Sequence, residues 1–362
     1  MTNVIDPWGS ALPESYEKIV KHFGLELFDS KLFPNPNRLM RRGVVFCGQD
    51  LKIISEAIKK KKPFYVLSGI MPSGEKLHLG NKIVVENIRY FQEQGGLTYM
   101  LIADLESAAA RGVPLEEAQK RALKFHIPAY IALGLDPKKT IFYFQSENKE
   151  VMNKGYEFAK KITLNEFKAI YGNADPSRIM SAVTQVADIL YPQFKKPIPG
   201  IVPVGLDQSP HMRLTRDVVK RTKSLYNFIP PSSIYHKYTP SLSGDLKMSK
   251  SEPAGNIELP EDINEVKKKI IKAKSGGRDT LEEHRKLGGI PENDMAFELL
   301  KQHLVEDDKE LNKIYKEYKS GKMTSGELKK ITCDKMEIFM KDFNTKLEKA
   351  KKNINKLNFI RF

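Results

Sequence analysis

The chain has 362 residues, of which 40% are hydrophobic and 29% charged, and 60 Lys and Arg against 45 Asp and Glu give a formal net charge of +15. That length suits two or three domains, or one α/β domain with an appendage. Two cysteines, Cys47 and Cys333, exclude a disulfide framework and a Cys-based zinc site, and read as inert thiols of a reducing compartment. No run approaches the ~18 apolar residues that span a bilayer. The start, Met1 to Asp6, lacks a basic stretch followed by an apolar one. The expectation is therefore a cytoplasmic protein with no membrane partner and no protein-held metal. The positive surplus favours a polyanionic partner, with a Lys/Glu-rich surface of heat-adapted type as the equal alternative.

Residues 1–62 read as a lead-in segment. It has a turn at Asp6-Pro7-Trp8-Gly9, a short helix from Glu14 to His22 and a loop at Pro34-Asn35-Pro36-Asn37. An amphipathic stretch follows from Asp50 into the lysine run Lys59–Lys62. The segment from Pro63 to Ser68 is apolar, β-branched and aromatic, and predicts a buried strand. Ser68-Gly69-Ile70-Met71-Pro72-Ser73-Gly74 then breaks the chain into a loop. Ile83, Val84, Ile88 and Phe91 recur at helical spacing and predict a helix from Lys82 to about Gln94. A strand from Leu97 to Ala103 ends at Asp104. Leu115 to Leu133 reads as helix, Thr140 to Phe144 as strand, Ile201 to Gly205 as strand and Ser209 to Arg221 as helix. Such alternation predicts parallel βαβ units with ligands at the carboxyl ends of the strands. Beyond about Pro260 the pattern is almost wholly helical, over Glu261–Ala273, Glu292–Leu304, Asp308–Lys319 and Ser325–Lys349. The expected domains are 1–62, an α/β domain over 63–260 and a helical domain over 261–362.

Two motifs carry the chemistry. Pro72-Ser73-Gly74-Glu75-Lys76-Leu77-His78-Leu79-Gly80-Asn81 lies far upstream of Lys247-Met248-Ser249-Lys250-Ser251. A strand, a Gly-bearing loop and a helix N-terminus aim backbone N–H groups at an anion. Gly80 lets a bulky ligand approach the backbone, and His78 and Asn81 can donate to phosphate oxygens. Lys247 and Lys250 are point charges suited to negative charge growing on a triphosphate. Read together, the motifs are two halves of an ATP site. A third stretch, Gly205-Leu206-Asp207-Gln208-Ser209-Pro210-His211-Met212-Arg213-Leu214-Thr215-Arg216-Asp217, follows a strand and opens a helix. It places Asp207 and Gln208 at a strand's carboxyl end. The carboxylate there suits ribose hydroxyls or an ammonium, and the amide suits a carbonyl or carboxylate.

The upstream and downstream motifs resemble the HIGH and KMSKS motifs of class I aminoacyl-tRNA synthetases. The Gly205–Asp217 stretch resembles the GxDQxxHxxLTRD segment of the tryptophanyl branch. Ser68–Gly74 is similar to that branch's SGIxPSG opening, and His78-Leu79-Gly80-Asn81 ends in Asn where HIGH ends in His, as bacterial tryptophanyl members also do. Pro7-Trp8-Gly9, Arg41-Arg42, Ser275–Gly289, Glu306-Asp307-Asp308 and Ser320–Lys329 resemble the archaeal tryptophanyl type. The resemblance covers nearly the whole chain. It implies an α/β fold, a class I synthetase Rossmann-like parallel sheet with a C-terminal all-helical domain that binds tRNA. It also implies ATP and Mg²⁺ as cofactors, L-tryptophan and tRNA(Trp) as partners, and a homodimer.

By the same resemblance, His78, Gly80 and Asn81 hold adenosine and phosphate, with Gly205, Asp207 and Gln208 near the adenylate. Lys247 and Lys250 close over pyrophosphate, and Met248, Ser249 and Ser251 complete that loop. Gln185 takes the substrate's amino group, and Glu106 and Gln208 line the amino-acid pocket. Asp188 accepts from an indole N–H or equally from a phenol O–H, so that residue leaves tryptophan and tyrosine open. Leu67 stands where the tyrosine branch has a Tyr, and its apolar side chain leans toward the larger ring. It also departs from the eukaryote-like tryptophanyl pattern, as Met71 departs from a bacterial Gln. Lys341, Lys346, Lys349, Lys351, Lys352, Lys356 and Arg361 against Asp342 and Glu348 suit the tRNA backbone, or form an ordinary solvated face. The rival readings are a tyrosyl enzyme, a nucleotidyltransferase of the same fold and a non-catalytic tRNA-binding paralogue.

Overall fold

The computed structural model describes Val20 and residues 23–248, 252–357, 359 and 360. The helix expected from Glu14 to His22, the Pro7-Trp8-Gly9 turn, Ser249, Lys250, Ser251 and Arg361 lie outside these residues, apart from Val20. The chain divides into two compact units. The first runs to Glu75, resumes over Glu86–Lys237 and takes in the residues from Lys351. The second comprises Lys76–Val85 and Tyr238–Ala350.

The first unit is built on a seven-stranded sheet of order β1-β2-β8-β7-β3-β5-β6. Its strands are β1 (Glu26–Leu27), β2 (Val45–Gln49), β3 (Tyr65–Ile70), β5 (Leu97–Ile102), β6 (Thr140–Phe144), β7 (Gly200–Gly205) and β8 (Ser232–His236); β4 (Leu77–His78) and β9 (Glu258–Leu259) belong to the second unit. From β8 to β6 neighbouring strands are parallel, as the alternation of strand and helix predicts. At the other edge β2 pairs antiparallel with β8 and β1 antiparallel with β2. The segment read as a lead-in thus extends the sheet. Neither β2 nor β8 was visible as a strand, because β2 is interrupted by Gly48 and β8 opens on two serines after Pro230-Pro231. Gly48 is a packing requirement: a Cβ there would lie 2.6 Å from the Ser233 carbonyl oxygen.

The order in which the parallel strands are connected reverses at β3, which lies between β5 and β7. Such a point leaves a crevice outside the carboxyl ends of the strands, where open α/β sheets bind ligands. The β3–β5–β6 registers set Leu67 beside Tyr99 and Leu101 beside Tyr143. Alternation along the strands therefore puts Leu67, Gly69, Leu101 and Tyr143 on one face. Against that face lies the helix Pro176–Leu190, because Tyr65, also on it, donates to the Ile189 carbonyl. Asp175 caps this helix by accepting from Arg178 N. Its buried Ala182, Val186 and Leu190 join Phe158, Phe167 and Leu214 in one core.

Residues 115–132 are helical as expected, but the middle turn, Ala122–His126, widens to π geometry. Pro128 explains the change, since its nitrogen donates no bond to the turn before it.

The second unit is mostly helical. Its elements include Ile263–Lys272, Leu281–Leu287, Met295–Leu299, Asp308–Lys319 and the 28-residue helix Ser325–Lys352, whose last two residues fall in the first unit. Ala296, Phe297, Leu300, Leu311, Ile314, Tyr318 and Leu328 form its core. Among the described residues no helix is long and apolar enough to cross a membrane.

Candidate active site

In the first unit the polar groups gather beyond the carboxyl ends of β5, β6 and β7. Asp104 and Glu106 open the helix that follows β5. Asp104 is fully buried. Its Oδ1 accepts from Ser146 N at 3.1 Å, and its Oδ2 from Ser146 Oγ at 2.5 Å and Gln119 Nε2 at 3.0 Å. Glu106 is half-buried, and its N–H donates to Gln145 Oε1 at 3.3 Å. Gln145 in turn donates from Nε2 to Asp188 Oδ2 at 2.6 Å, and Tyr143 donates its hydroxyl to Asp188 Oδ1 at 3.0 Å.

Asp188 is 0% exposed. Burial pushes its carboxyl up to about 7; the hydrogen bonds from Gln145 and Tyr143 act against that shift, and the charges of Glu106 and Asp104 add to it. One turn earlier on the same helix, Gln185 donates to Gln208 Oε1 at 3.3 Å. Its own Oε1 is buried without a hydrogen-bond partner among the described residues. A buried acceptor in that state is costly unless something donates to it, and a ligand ammonium would. Leu67 is buried on the facing sheet surface. Asp207 and Gln208, half-buried, occupy the turn between β7 and the helix Ser209–Arg221. That turn begins at Gly205, the last residue of β7.

In the second unit, β4 pairs antiparallel with β9, His78 opposite Glu258, and Leu79 N donates to Ile257 O. The ribbon ties the His78–Asn81 turn to the chain that follows the Lys247–Ser251 motif. Asn81 opens the helix Asn81–Glu93 and turns its Oδ1 back to accept from His78 N at 3.0 Å. Gly80 is required by contact: a Cβ there would lie 2.9 Å from His78 Cε1 and Nδ1. The imidazole therefore lies over bare backbone at the start of a helix, a position where anions bind.

Lys247 and Met248 stand on the described side of the lysine loop. Met248 is buried, and its N–H donates to Thr239 O at 2.8 Å. Lys247 Nζ sits 4.6 Å from the centre of the Tyr238 ring, a cation–π contact. Among the described residues no group of three or more His, Cys, Asp or Glu is placed to hold a metal.

The first unit thus places Glu106 and Gln208 beyond the carboxyl ends of the strands, Gln185 and Asp188 on the helix that covers one sheet face, and Leu67 mid-strand on that face, and the second joins His78, Gly80 and Asn81 to a shared ribbon. Sequence reasoning missed Tyr143, Gln145 and Ser146. The available signal was the alternating Phe142-Tyr143-Phe144-Gln145-Ser146 at a strand's carboxyl end, where polar side chains two apart share a face.

The sequence pattern of the family described as tRNA synthetases class I (W and Y) matches residues 59–341. The chain belongs to this family. It is 42% identical over 357 residues to the tryptophan–tRNA ligase of Methanocaldococcus jannaschii, covering 96% of each chain. The crystal structure of tryptophanyl-tRNA synthetase from the hyperthermophilic archaeon Aeropyrum pernix superposes with a TM-score of 0.90 at 38% identity, over 99% of each chain. A structure from Encephalitozoon cuniculi bound to tryptophan gives a TM-score of 0.86 at 28% identity, over 96% of this chain and 98% of that one.

Proposed function

We propose that the chain activates L-tryptophan with ATP and transfers it to the 3′ end of tRNA(Trp), as a tryptophan–tRNA ligase of the cytoplasm. The observation that carries this reading is the pocket of the first unit. A buried carboxylate, Asp188, lies on the helix that faces the apolar Leu67, one turn from an acceptor on Gln185 that awaits a donor. An aromatic amino acid with a ring N–H and an α-ammonium has a donor for each acceptor.

The reaction needs no side-chain nucleophile, since the tryptophan carboxylate is already ionised. It attacks the α-phosphorus of ATP, the bond from that phosphorus to the bridging oxygen breaks, and pyrophosphate leaves. Catalysis is then positioning and charge stabilisation. Gln185 holds the ammonium, Leu67 and Glu106 line the pocket, and Asp188 takes the ring donor. Gly205, Asp207 and Gln208 hold the adenylate. His78, Gly80 and Asn81 hold adenosine and phosphate, and Lys247 and Lys250, with Met248, Ser249 and Ser251 shaping their loop, neutralise pyrophosphate. Mg²⁺ enters as the counter-ion of ATP. A terminal ribose hydroxyl of the tRNA then attacks the carbonyl carbon of the adenylate, the bond from that carbon to the phosphate oxygen breaks, and the tryptophanyl ester forms as AMP leaves; the helical region 261–362 binds the tRNA. A homodimer is the assembly that the family likeness favours.

The competing substrate is tyrosine, whose O–H also suits Asp188. Leu67 weighs against it, because that residue offers the phenol no partner. Exchange of pyrophosphate into ATP, run with tryptophan and with tyrosine, tests the reading. Exchange with tryptophan alone is expected, and exchange with tyrosine alone overturns it.

A further inference from the structure

We propose that Tyr143 and Gln145 are positioning residues for tryptophan recognition, clamping the Asp188 carboxylate from β6 and the turn after it so that it meets the substrate ring as a fixed acceptor. The proposal rests on the functional reading above and adds to it the residues that hold the ring acceptor.

The geometry assigns one donor to each oxygen. Tyr143 on β6 and Gln145, first residue of the 3₁₀ turn Gln145–Glu147 that follows it, both reach Asp188 on the helix Pro176–Leu190. Tyr143 Oη meets Oδ1 at 3.0 Å, and Gln145 Nε2 meets Oδ2 at 2.6 Å. The amide of Gln145 has no second orientation open to it. Its Oε1 already accepts from the Glu106 N–H, so Nε2 is the group that faces the carboxylate. Tyr143, Gln145 and Asp188 are 0%, 1% and 0% exposed. The clamp is therefore shielded from bulk solvent, so each hydrogen bond in it is strong and each lost one expensive.

Each carboxylate oxygen keeps lone-pair capacity after accepting once. A ring N–H fills it; a ring of the same shape without a donor leaves it empty. The clamp also sets the charge. Asp188 is faced by Asp104 and Glu106 from beyond β5, by Tyr143 from β6, and by Gln185 on its own helix. Tyr191 packs its ring on Tyr143 and on Tyr99, and the charge of Glu150 acts on Tyr191. The nearby carboxylates and burial favour the protonated acid, and the two donors favour the anion. Removing a donor to the charged form raises the pKa. At neutral pH Asp188 would then carry a proton and turn an O–H toward the ring N–H.

The test uses the full chain and three proteins: unmodified, Tyr143→Phe and Gln145→Glu. Pyrophosphate exchange is measured from pH 5.5 to 9 with tryptophan and with β-(benzothiophen-3-yl)alanine, in which sulfur replaces the ring N–H. Thermal melts establish that each variant folds, and Gln145→Glu, close to isosteric, keeps the test open should Tyr143→Phe not fold. The preference for tryptophan over the sulfur analogue is expected to fall about tenfold or more in each variant, mainly through KM for tryptophan. The midpoint of the tryptophan kcat/KM profile is expected to move to higher pH. A folded variant with unchanged preference and unchanged midpoint makes these side chains ordinary core and overturns the proposal. Absence of tryptophan exchange in the unmodified chain overturns the functional reading, and this proposal with it, before any variant is compared.

Discussion

Gly80 has no side chain because the His78 ring occupies the space where one would go. Gly80→Ala forces the imidazole off the helix start, and a displacement of about 1 Å costs roughly 10²-fold in rate. Exchange kinetics should show that loss, while calorimetric titration with tryptophan alone shows its affinity unchanged; a weakened tryptophan affinity would contradict the separation of roles. Lys250→Ala should lower the activation rate by about 10²–10³-fold, the scale of one lost transition-state charge contact. Tryptophan affinity should barely move. The reverse pattern, weak binding at full rate, would remove Lys250 from the transition state. At this scale the sequence singled out Gly80 for the approach of a ligand, and the structure adds that the His78 ring also needs the space. The sequence was least legible at Tyr143 and Gln145. Tyr143 sits in a strand whose apolar neighbours already account for it and Gln145 in the turn that follows, and their task depends on Asp188, which is 45 residues from Tyr143 and 43 from Gln145.

Elements were legible in proportion to their periodicity. The strand Thr140–Phe144 and the helices Ser209–Arg221 and Asp308–Lys319 have the limits their patterns predict. Glu292–Leu304 does not form one helix: Pro291–Asn293 is a 3₁₀ turn, and Asp294 starts Met295–Leu299 afresh as its cap. Asp294 also explains the Ser275-Gly276-Gly277 motif. One oxygen accepts from Gly276 N, Ser275 Oγ and the Tyr318 hydroxyl, and the other from Ala296 N and Phe297 N. These residues build the helical unit, a role that sequence alone left undecided. Asp294→Ala removes a helix cap and strands the buried Gly276 amide, at about 1 and 1–3 kcal/mol respectively, while the Tyr318 hydroxyl keeps Ser325 Oγ at 2.9 Å. Urea unfolding of the full chain should show roughly 3 kcal/mol lost. A change below about 0.5 kcal/mol would mean that water or a neighbour replaces the carboxylate.

Across the whole molecule, the edge pair β1 and β2 and the division of the chain at Lys237 were hidden, because pairing between distant segments leaves no local period. Helical content after residue 260 and the parallel centre of the sheet were not. The charge of +15 was equally open to two explanations, and the surface divides it further. Lys341 and Lys346 are tied to Glu337 and Asp342 one turn away, as on a solvated helix face. Binding of tRNA(Trp) should weaken steeply with salt, and Lys349→Glu with Lys352→Glu should lower the log–log slope by about one to two. An unchanged slope would leave that face to solvent. The account as a whole stands on its substrate. Pyrophosphate exchange should therefore be run with each of the twenty amino acids separately, with MgATP. The account predicts exchange with tryptophan, none with tyrosine, and rejection of phenylalanine by roughly 10⁴–10⁵ if the buried acceptor reads the ring donor. Exchange with tyrosine alone, or with no amino acid even when tRNA is present, would contradict it.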